Sequence, residues 1–166
     1  RVFEGESWVL EAKVTTYMPA PAATAADLDI NIYFGDGGPN TYAARVMRYK
    51  DSYWGSDRID AAFLKGNEYL DGRVTDIPGH PIVATAHIRI SRAGTLVQIE
   101  YSLDGLEWEK SSYDFGQEIR GLPQRITIAG AGDIPNGAYA DWDYVRLTLG
   151  SVVSLSIRDE YRRVDS

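Results

Sequence analysis

Apolar and polar residues alternate with a period of two through most of this chain, and this pattern constrains the fold more than any other feature. Successive side chains of a β-strand point to opposite faces of a sheet, so the alternation predicts strands with one buried face and one wetter face. Strands are predicted at 8–15, 28–34, 42–49, 59–65, 82–91, 97–103, 124–131 and 140–149. Many strands with almost no helical pattern predict an all-β fold, a two-sheet antiparallel β-sandwich.

Turn clusters separate these strands and define the expected domain. Glycine and proline concentrate at 35–40, 76–81, 92–94 and 130–137, and the prolines near 20–27 favour a loop there. The predicted domain is residues 1–150, and residues 151–166 form a last edge strand or a linker to another domain. The expected core contains Trp8, Leu10, Ile30, Ile32, Ile88, Ile90, Ile99 and Val145.

Composition excludes several classes of protein. The net charge of −7 argues against a nucleic-acid binder, which needs a basic surface to displace phosphate counterions. No apolar run reaches the roughly 18 residues of a membrane span. The chain has no cysteine, so neither a disulfide framework nor thiolate chemistry is available.

The stretch "YSLDGLEWEKSSYDF", residues 101–115, predicts a strand, a turn and the start of another strand. Asp104-Gly105 favours a tight turn because glycine adopts a positive φ without strain. Trp108 could contact a ligand or hold the hairpin onto the sheet. The turn chemistry favours the structural role, with the indole covering the turn and packing on the sheet edge.

Three segments resemble the concanavalin A-like (laminin-G-like) jelly-roll superfamily. "IRISRAGTLVQIEYSLDGLEW" is similar to that superfamily's succession of a strand, Arg-x-Gly, a second strand and Ser-x-Asp-Gly-x-x-Trp. "ADWDYVRLTL" is similar to the last strand of family-16 glycoside hydrolases and their sugar-binding relatives, and "WVLEAKVTT" resembles the first long strand. The resemblance implies a jelly-roll sandwich and leaves the function open, because one fold hosts many functions.

The catalytic signature of the family-16 relatives, Glu-x-Asp-x-x-Glu on one strand, is missing. Retaining glycosidases need two carboxylates roughly 5 Å apart, and no Glu-x-Asp occurs in this chain. The substitutes, Glu107 with Glu109 and Asp141 with Asp143, would share a strand face. Carboxylates from different strands could still converge, so a hydrolase remains the alternative to a non-catalytic domain.

Residues 42–58, "YAARVMRYKDSYWGSDR", carry the densest functional signal, because four aromatic residues alternate with arginines. Sugar sites use flat aromatic faces against the ring and charged or amide groups for the hydroxyls. One face of this strand must belong to the core, so about half of these side chains serve packing. The predicted ligand-binding residues are Trp54, Tyr53, Tyr49, Arg45 and Arg58. The alternative for Trp54 is a loop anchor that folds back onto the domain.

The resemblance also implies a metal. In the superfamily, the aspartate of the closing Asp-Tyr-Val-Arg run often ligates a structural calcium ion, and Asp143 stands at that position. Calcium prefers several oxygen ligands, so loop carbonyls and Glu4 or Glu6 would have to join Asp143. The alternative is that Asp143 bonds the backbone or an arginine such as Arg146.

The sequence as a whole predicts a non-catalytic carbohydrate-binding or accessory module of a larger secreted bacterial protein, located outside the cell or in the periplasm. Its expected partners are a glycan and other domains of the parent protein. Two alternatives stay open, a glycan-active hydrolase and a structural or protein-interaction module. A convergent acid pair would favour the hydrolase, an open sheet lined by tyrosine, tryptophan and arginine would favour binding, and a flat apolar patch would favour protein contact.

Overall fold

The computed structural model is a sandwich of two antiparallel β-sheets, which confirms the predicted fold class. It describes residues 7–19, 25–34, 41–51, 56–116, 119, 125–132, 137–149 and 153–157, with the backbone alone at 25–28, 131–132 and 153–157. No α-helix occurs in these ranges, and therefore none of the described segments is a long apolar helix that could cross a membrane. The described strands are β1 (Ser7–Tyr17), β2 (Ala25–Phe34), β3 (Tyr42–Asp51), β4 (Ser56–Lys65), β5 (Glu68–Asp76), β6 (Val83–Ala93), β7 (Leu96–Ser102), β8 (Glu109–Asp114), β9 (Arg125–Gly132), β10 (Tyr139–Leu149) and β11 (Val153–Ile157).

The strand order places the two ends of the described chain in the same sheet. The six-stranded sheet has the order β11-β10-β1-β6-β7-β8, and the five-stranded sheet has the order β5-β4-β3-β2-β9. The first long strand, β1, lies in the middle of its sheet, where Leu10 is opposite Leu147 of β10 and Ile90 of β6. Residues 153–157 form the edge strand β11 against β10.

The core lies between the sheets and contains the residues that the alternation predicts. Trp8, Leu10, Ile30, Ile32, Ile88, Ile90 and Ile99 are buried, and Val145 packs against them from a partly buried position. Phe115, directly after β8, closes one end of the core, with its ring 4.9–5.9 Å from those of Phe34, Tyr42, Phe63 and Tyr113. Aromatic pairs at such distances add to the stability that burial supplies.

Strand β5 is the one long strand that the alternation does not predict. Most of its side chains are exposed or half-buried on both faces, because it forms the edge of the five-stranded sheet. A β-bulge interrupts its pairing with β4 between Phe63 and Leu64. An edge strand that buries neither face shows no apolar periodicity, so its sequence resembles that of a loop.

A buried group of charges joins the two sheets and the turn at 77–82. Arg48 of β3 donates to both carboxylate oxygens of Asp57 at 2.9 and 2.6 Å, and also to Thr16 of β1 and the Pro81 carbonyl. Lys50 donates to carbonyls of the same region and lies 3.7 Å from Asp57. The Arg48 face of β3 is therefore the core face, which leaves Arg45 and Tyr49 on the outer face.

Trp108 packs on the outside of the six-stranded sheet. Its ring meets His87 of β6 edge-on at 6.4 Å, the guanidinium of Arg89 lies 5.0 Å from its centroid, and the residue is 38% exposed. The turn before it is held by Asp104, whose Oδ1 accepts from the backbone N–H groups of residues 106 and 107. The indole lies on the outer sheet surface and does not enter the core, and its role in holding the hairpin stays a prediction.

Candidate functional site

The outer face of the five-stranded sheet brings together three of the five predicted ligand-binding residues. Arg45 and Tyr49 lie on β3, and Arg58 lies on β4 directly opposite Tyr49. Alternation on paired strands places all three on the face that points away from the core. Tyr53 and Trp54 lie outside the described residues, and ligand binding by all five residues stays a prediction.

Tyr49 and Arg58 form a contact pair on this face. The guanidinium carbon of Arg58 lies 4.6 Å above the centroid of the Tyr49 ring, a cation–π distance. The Tyr49 hydroxyl donates to Oδ2 of Asp51 at 2.9 Å, and this bond holds the ring in place. The pair therefore places an aromatic ring and a cationic group side by side on β3 and β4.

A groove of about 760 Å³ opens at the other end of the same face. Tyr33 forms one wall, and the guanidinium of Arg125 lies 4.4 Å from its ring centroid. The small Ala43 lies between Tyr33 and the residues of β4, which leaves the groove its depth. Its lining mixes charged, amide, hydroxyl and aromatic groups: Asp29, Asn31, Tyr33, Thr41, Ala43, Arg45, Leu64, Lys65, Gly66, Asn67, Glu68 and Arg125.

Between the groove and the Tyr49–Arg58 pair lies a buried carboxyl group, that of Asp60. Asp60 is 8% exposed, and its Oδ1 is covered and has no hydrogen-bond partner among the described residues. The Nε atoms of Arg45 and Arg58 are covered and unpaired in the same way. Burial raises the pKa of Asp60, and the positive charges of Arg45 and Arg58 oppose that rise. Charged groups of both signs thus face one another here without a direct hydrogen bond.

Tyr69 of β5 completes the face with an exposed ring. It is 54% exposed, and burial of its hydroxyl, followed by the charges of Asp60 and Asp71, raises its pKa. Gly72 makes room for this ring, because a Cβ atom there would lie 2.8 Å from the Tyr69 hydroxyl. The face thus carries aromatic rings with small residues between them.

Asp143, the predicted calcium ligand, lies on the other sheet and forms an ion pair with Lys13. It is the extra residue of a β-bulge, since Lys13 is opposite Tyr144 and Val14 is opposite Trp142. The described residues contain no group of three or more histidine, aspartate or glutamate side chains that could hold a metal ion. Asp143 therefore supplies a single carboxylate, and Glu4 and Glu6 lie outside the described residues.

Several residues of the outer face were not predicted as functional. Asn31 and Tyr33 were expected only as the polar face of a strand, and Asp60, Tyr69 and Arg125 carried no prediction. A signal existed for Asp60, because a single carboxylate within the apolar run "IDAAF" needs a reason to be there. Strand pairing brings these five residues onto one face with Arg45, although 94 positions separate Asn31 from Arg125.

No family model and no curated protein matches this chain. Several solved structures resemble its fold, including the following two. A functionally unknown protein from Saccharomyces cerevisiae aligns with a TM-score of 0.56 and 11% identity over 87% of this chain and 70% of its own. The xyloglucan PUL GH43B of Bacteroides ovatus aligns with a TM-score of 0.55 and 13% identity over 86% of this chain. This chain spans 27% of the length of GH43B. At these identities the likeness concerns the fold alone.

Proposed function

We propose that this domain binds carbohydrate on the outer face of the five-stranded sheet and does not cleave it. The observation that carries the proposal is the groove beside Tyr33, which is lined by an aromatic ring, two guanidinium groups and two amides. Sugar sites combine a flat apolar surface with a few polar groups for the hydroxyls. The name of GH43B, which mentions xyloglucan, makes plant-wall polysaccharides a reasonable first choice of ligand.

A polysaccharide panel tests the proposal. We expect wild-type protein to bind at least one of xyloglucan, arabinoxylan, galactomannan and polygalacturonate in isothermal titration calorimetry. Tyr33→Ala should lose about 1–3 kcal/mol of binding free energy, because it removes the stacking ring of the groove. Tyr139→Ala is the matched control, since Tyr139 is an exposed tyrosine on the other sheet. Equal binding by the Tyr33 variant, or no binding to any of the four polymers, would contradict the proposal.

Trp54 gives a second test, which rests on the sequence. If Trp54 extends this surface from the turn between β3 and β4, Trp54→Ala should lose about 1–3 kcal/mol of glycan binding and leave the melting temperature almost unchanged. A loop anchor would behave in the opposite way, with a loss of roughly 3–5 kcal/mol in stability, as for a core aromatic residue. Calorimetry and a melting curve on the same variant distinguish the two roles.

A glycan hydrolase is the rival function, and one feature of the face bears on it. Asp29 and Asp60 lie in a single row across the sheet, each directly opposite Met47. Two strand spacings put their Cα atoms about 10 Å apart, close to the roughly 6.5–9.5 Å between the carboxyl groups of inverting glycosidases. However, the buried Met47 occupies the space between them, where an inverting enzyme needs a water molecule. Release of reducing ends from the panel polymers would identify a hydrolase.

The wider predictions belong to this proposal as well. We infer membership of the concanavalin A-like superfamily, supported by the two-sheet order with β1 between β10 and β6. We also propose that the domain is an accessory module of a larger secreted bacterial protein.

A calcium ion at Asp143 is part of the same proposal, and Lys13 would have to release the carboxylate to allow it. Calcium should then raise the melting temperature of the wild type but not that of Asp143→Ala. A wild-type melting temperature that responds neither to calcium nor to chelator would exclude the ion.

A further inference from the structure

The side chains of Asp60, Arg45 and Arg58, which we call the Asp60 cluster, form a charged group at the middle of the outer face. Asp60 and Arg58 are two residues apart on β4 and therefore share a face. Arg45 belongs to the neighbouring strand β3, opposite Ala62, and also lines the groove beside Tyr33. The cluster is thus continuous with the groove.

Three covered polar atoms of the cluster lack the hydrogen bonds that such atoms usually have. Polar atoms covered by protein nearly always find a partner, yet Oδ1 of Asp60 and both Nε atoms have none among the described residues. The inner face of the same two strands shows the usual arrangement, because Arg48 and Asp57 are joined there by two hydrogen bonds. The charges of the inner face are thus paired with one another. In the Asp60 cluster, Oδ1 of Asp60 and the two Nε atoms have no partner among the described residues.

The combination of charges limits what could bind. A carboxylate ligand would be attracted by the two guanidinium groups but would lie against the Asp60 carboxyl, and a cationic ligand would meet two arginines. A neutral group that both donates and accepts hydrogen bonds satisfies all three side chains. Two neighbouring hydroxyl groups on a sugar ring have this property, since each can donate to Asp60 and accept from an arginine.

The surroundings suit a sugar ring. Ala62, opposite Arg45, is small, and Gly72 of β5 lies opposite Ala62. Tyr69 exposes about half of its surface beside them. A sugar ring that packs against the exposed Tyr69 side chain would have the Asp60 cluster on its other side.

We propose that the Asp60 cluster binds a pair of neighbouring hydroxyl groups on a neutral sugar residue, next to the groove beside Tyr33. The proposal rests on the carbohydrate-binding function above and narrows it to neutral glycans. The Asp60 carboxyl accepts from the hydroxyls, and the terminal guanidinium nitrogens of Arg45 and Arg58 donate to them. The Asp60 cluster and the groove beside Tyr33 together would span more than one sugar residue of a polymer.

Calorimetric titration with xyloglucan and galactomannan, compared with polygalacturonate, tests this proposal. Asp60→Ala should weaken binding of the neutral polymers about 10- to 100-fold, the usual effect of losing a hydrogen bond to a charged group. Asp141→Ala, an exposed aspartate on the other sheet, should bind as wild type does. A circular dichroism spectrum and melting curve of Asp60→Ala confirm that the variant is folded.

The outcomes separate this inference from the proposed function. If wild type binds a neutral polymer and Asp60→Ala binds it equally well, the Asp60 cluster is not a sugar site, although the domain still binds glycan. Tighter binding of polygalacturonate than of either neutral polymer would overturn the neutral class. If wild type binds none of the polymers, the carbohydrate-binding function itself fails, and this inference fails with it.

Discussion

Arg48 shows how a single residue can hold two sheets and a turn together. Its guanidinium is almost completely buried and reaches Asp57 on the neighbouring strand, Thr16 on the opposite sheet and the carbonyl of Pro81. Burial lowers the pKa of the adjacent Lys50, although the charge of Asp57 opposes this effect. Such a group adds little net stability when complete, because desolvation offsets much of the attraction, but it is costly to break.

Removing Arg48 alone should therefore destabilise the domain strongly. We expect Arg48→Met to lower the free energy of unfolding by roughly 3–5 kcal/mol, because the variant leaves the Asp57 carboxylate buried with only Lys50 at 3.7 Å. The control is Arg73→Ala, which breaks the half-exposed Arg73–Glu109 ion pair and should cost about 0–1 kcal/mol. Urea unfolding curves measure both, and equal losses would show that the buried group has no special role.

At the scale of the strand, the β4–β5 pair depends on the missing side chain of Gly72. A Cβ atom at this position would lie 2.2 Å from the Ala61 carbonyl oxygen and 2.8 Å from the Tyr69 hydroxyl. The backbone contact cannot be relieved by moving a side chain. The glycine thus allows both close strand pairing beside the bulge and the placement of Tyr69 over the sheet.

Gly72→Ala should displace the edge strand. We expect a loss of about 1–3 kcal/mol in stability from overpacking, together with faster amide hydrogen exchange in β5 than in β4. Adding Tyr69→Ala should restore only part of the loss, since the clash with the Ala61 carbonyl remains. Complete restoration in the double variant would mean that the Tyr69 hydroxyl is the sole obstacle.

The same strands show what the sequence can and cannot predict. Alternation predicted β1, β2, β6 and β7 and their buried faces, because a strand with one buried face has apolar residues at every second position. It missed β5, whose stability comes from edge pairing. It also identified Arg45, Tyr49 and Arg58 as a group, since they are close in the chain. Asp60, Tyr33 and Arg125 join them only through strand pairing, which the sequence does not state.

At the scale of the whole molecule, the two sheets present outer faces of different character. On the six-stranded sheet, Arg89 lies within 3.5 Å of carboxylate oxygens of both Glu11 and Glu100, and Lys13 pairs with Asp143. On the five-stranded sheet, Oδ1 of the buried Asp60 and the Nε atoms of the half-buried Arg45 and Arg58 are covered and have no such partner among the described residues. Binding sites commonly retain groups that destabilise the free protein, since the ligand supplies the missing partners.

We therefore expect Asp60 to lower the free energy of unfolding of the protein without ligand. Its pKa is raised above the ordinary 3.8 by burial, so the native state binds the proton more tightly than the unfolded chain does. The stability that this group contributes is present below pH 3.8 and is lost as the pH rises through the raised pKa of the native state.

Asp60→Asn replaces the carboxyl group by a neutral amide with little change in shape. We expect this variant to have a free energy of unfolding about 0.5–2 kcal/mol higher than wild type at pH 7. Above pH 4, its free energy of unfolding should fall less steeply with pH than that of wild type. Asp76→Asn, an exposed change on the same sheet, should stay within about 0.5 kcal/mol of wild type.

A neutral polysaccharide at 100 times its Kd should then stabilise wild type by about 2.7 kcal/mol and Asp60→Asn by less. Thermal unfolding with and without polymer measures both effects. If Asp60→Asn is less stable than wild type at pH 7, the native fold stabilises the Asp60 carboxylate. Asp60 would then not be a residue that destabilises the free protein until a ligand binds.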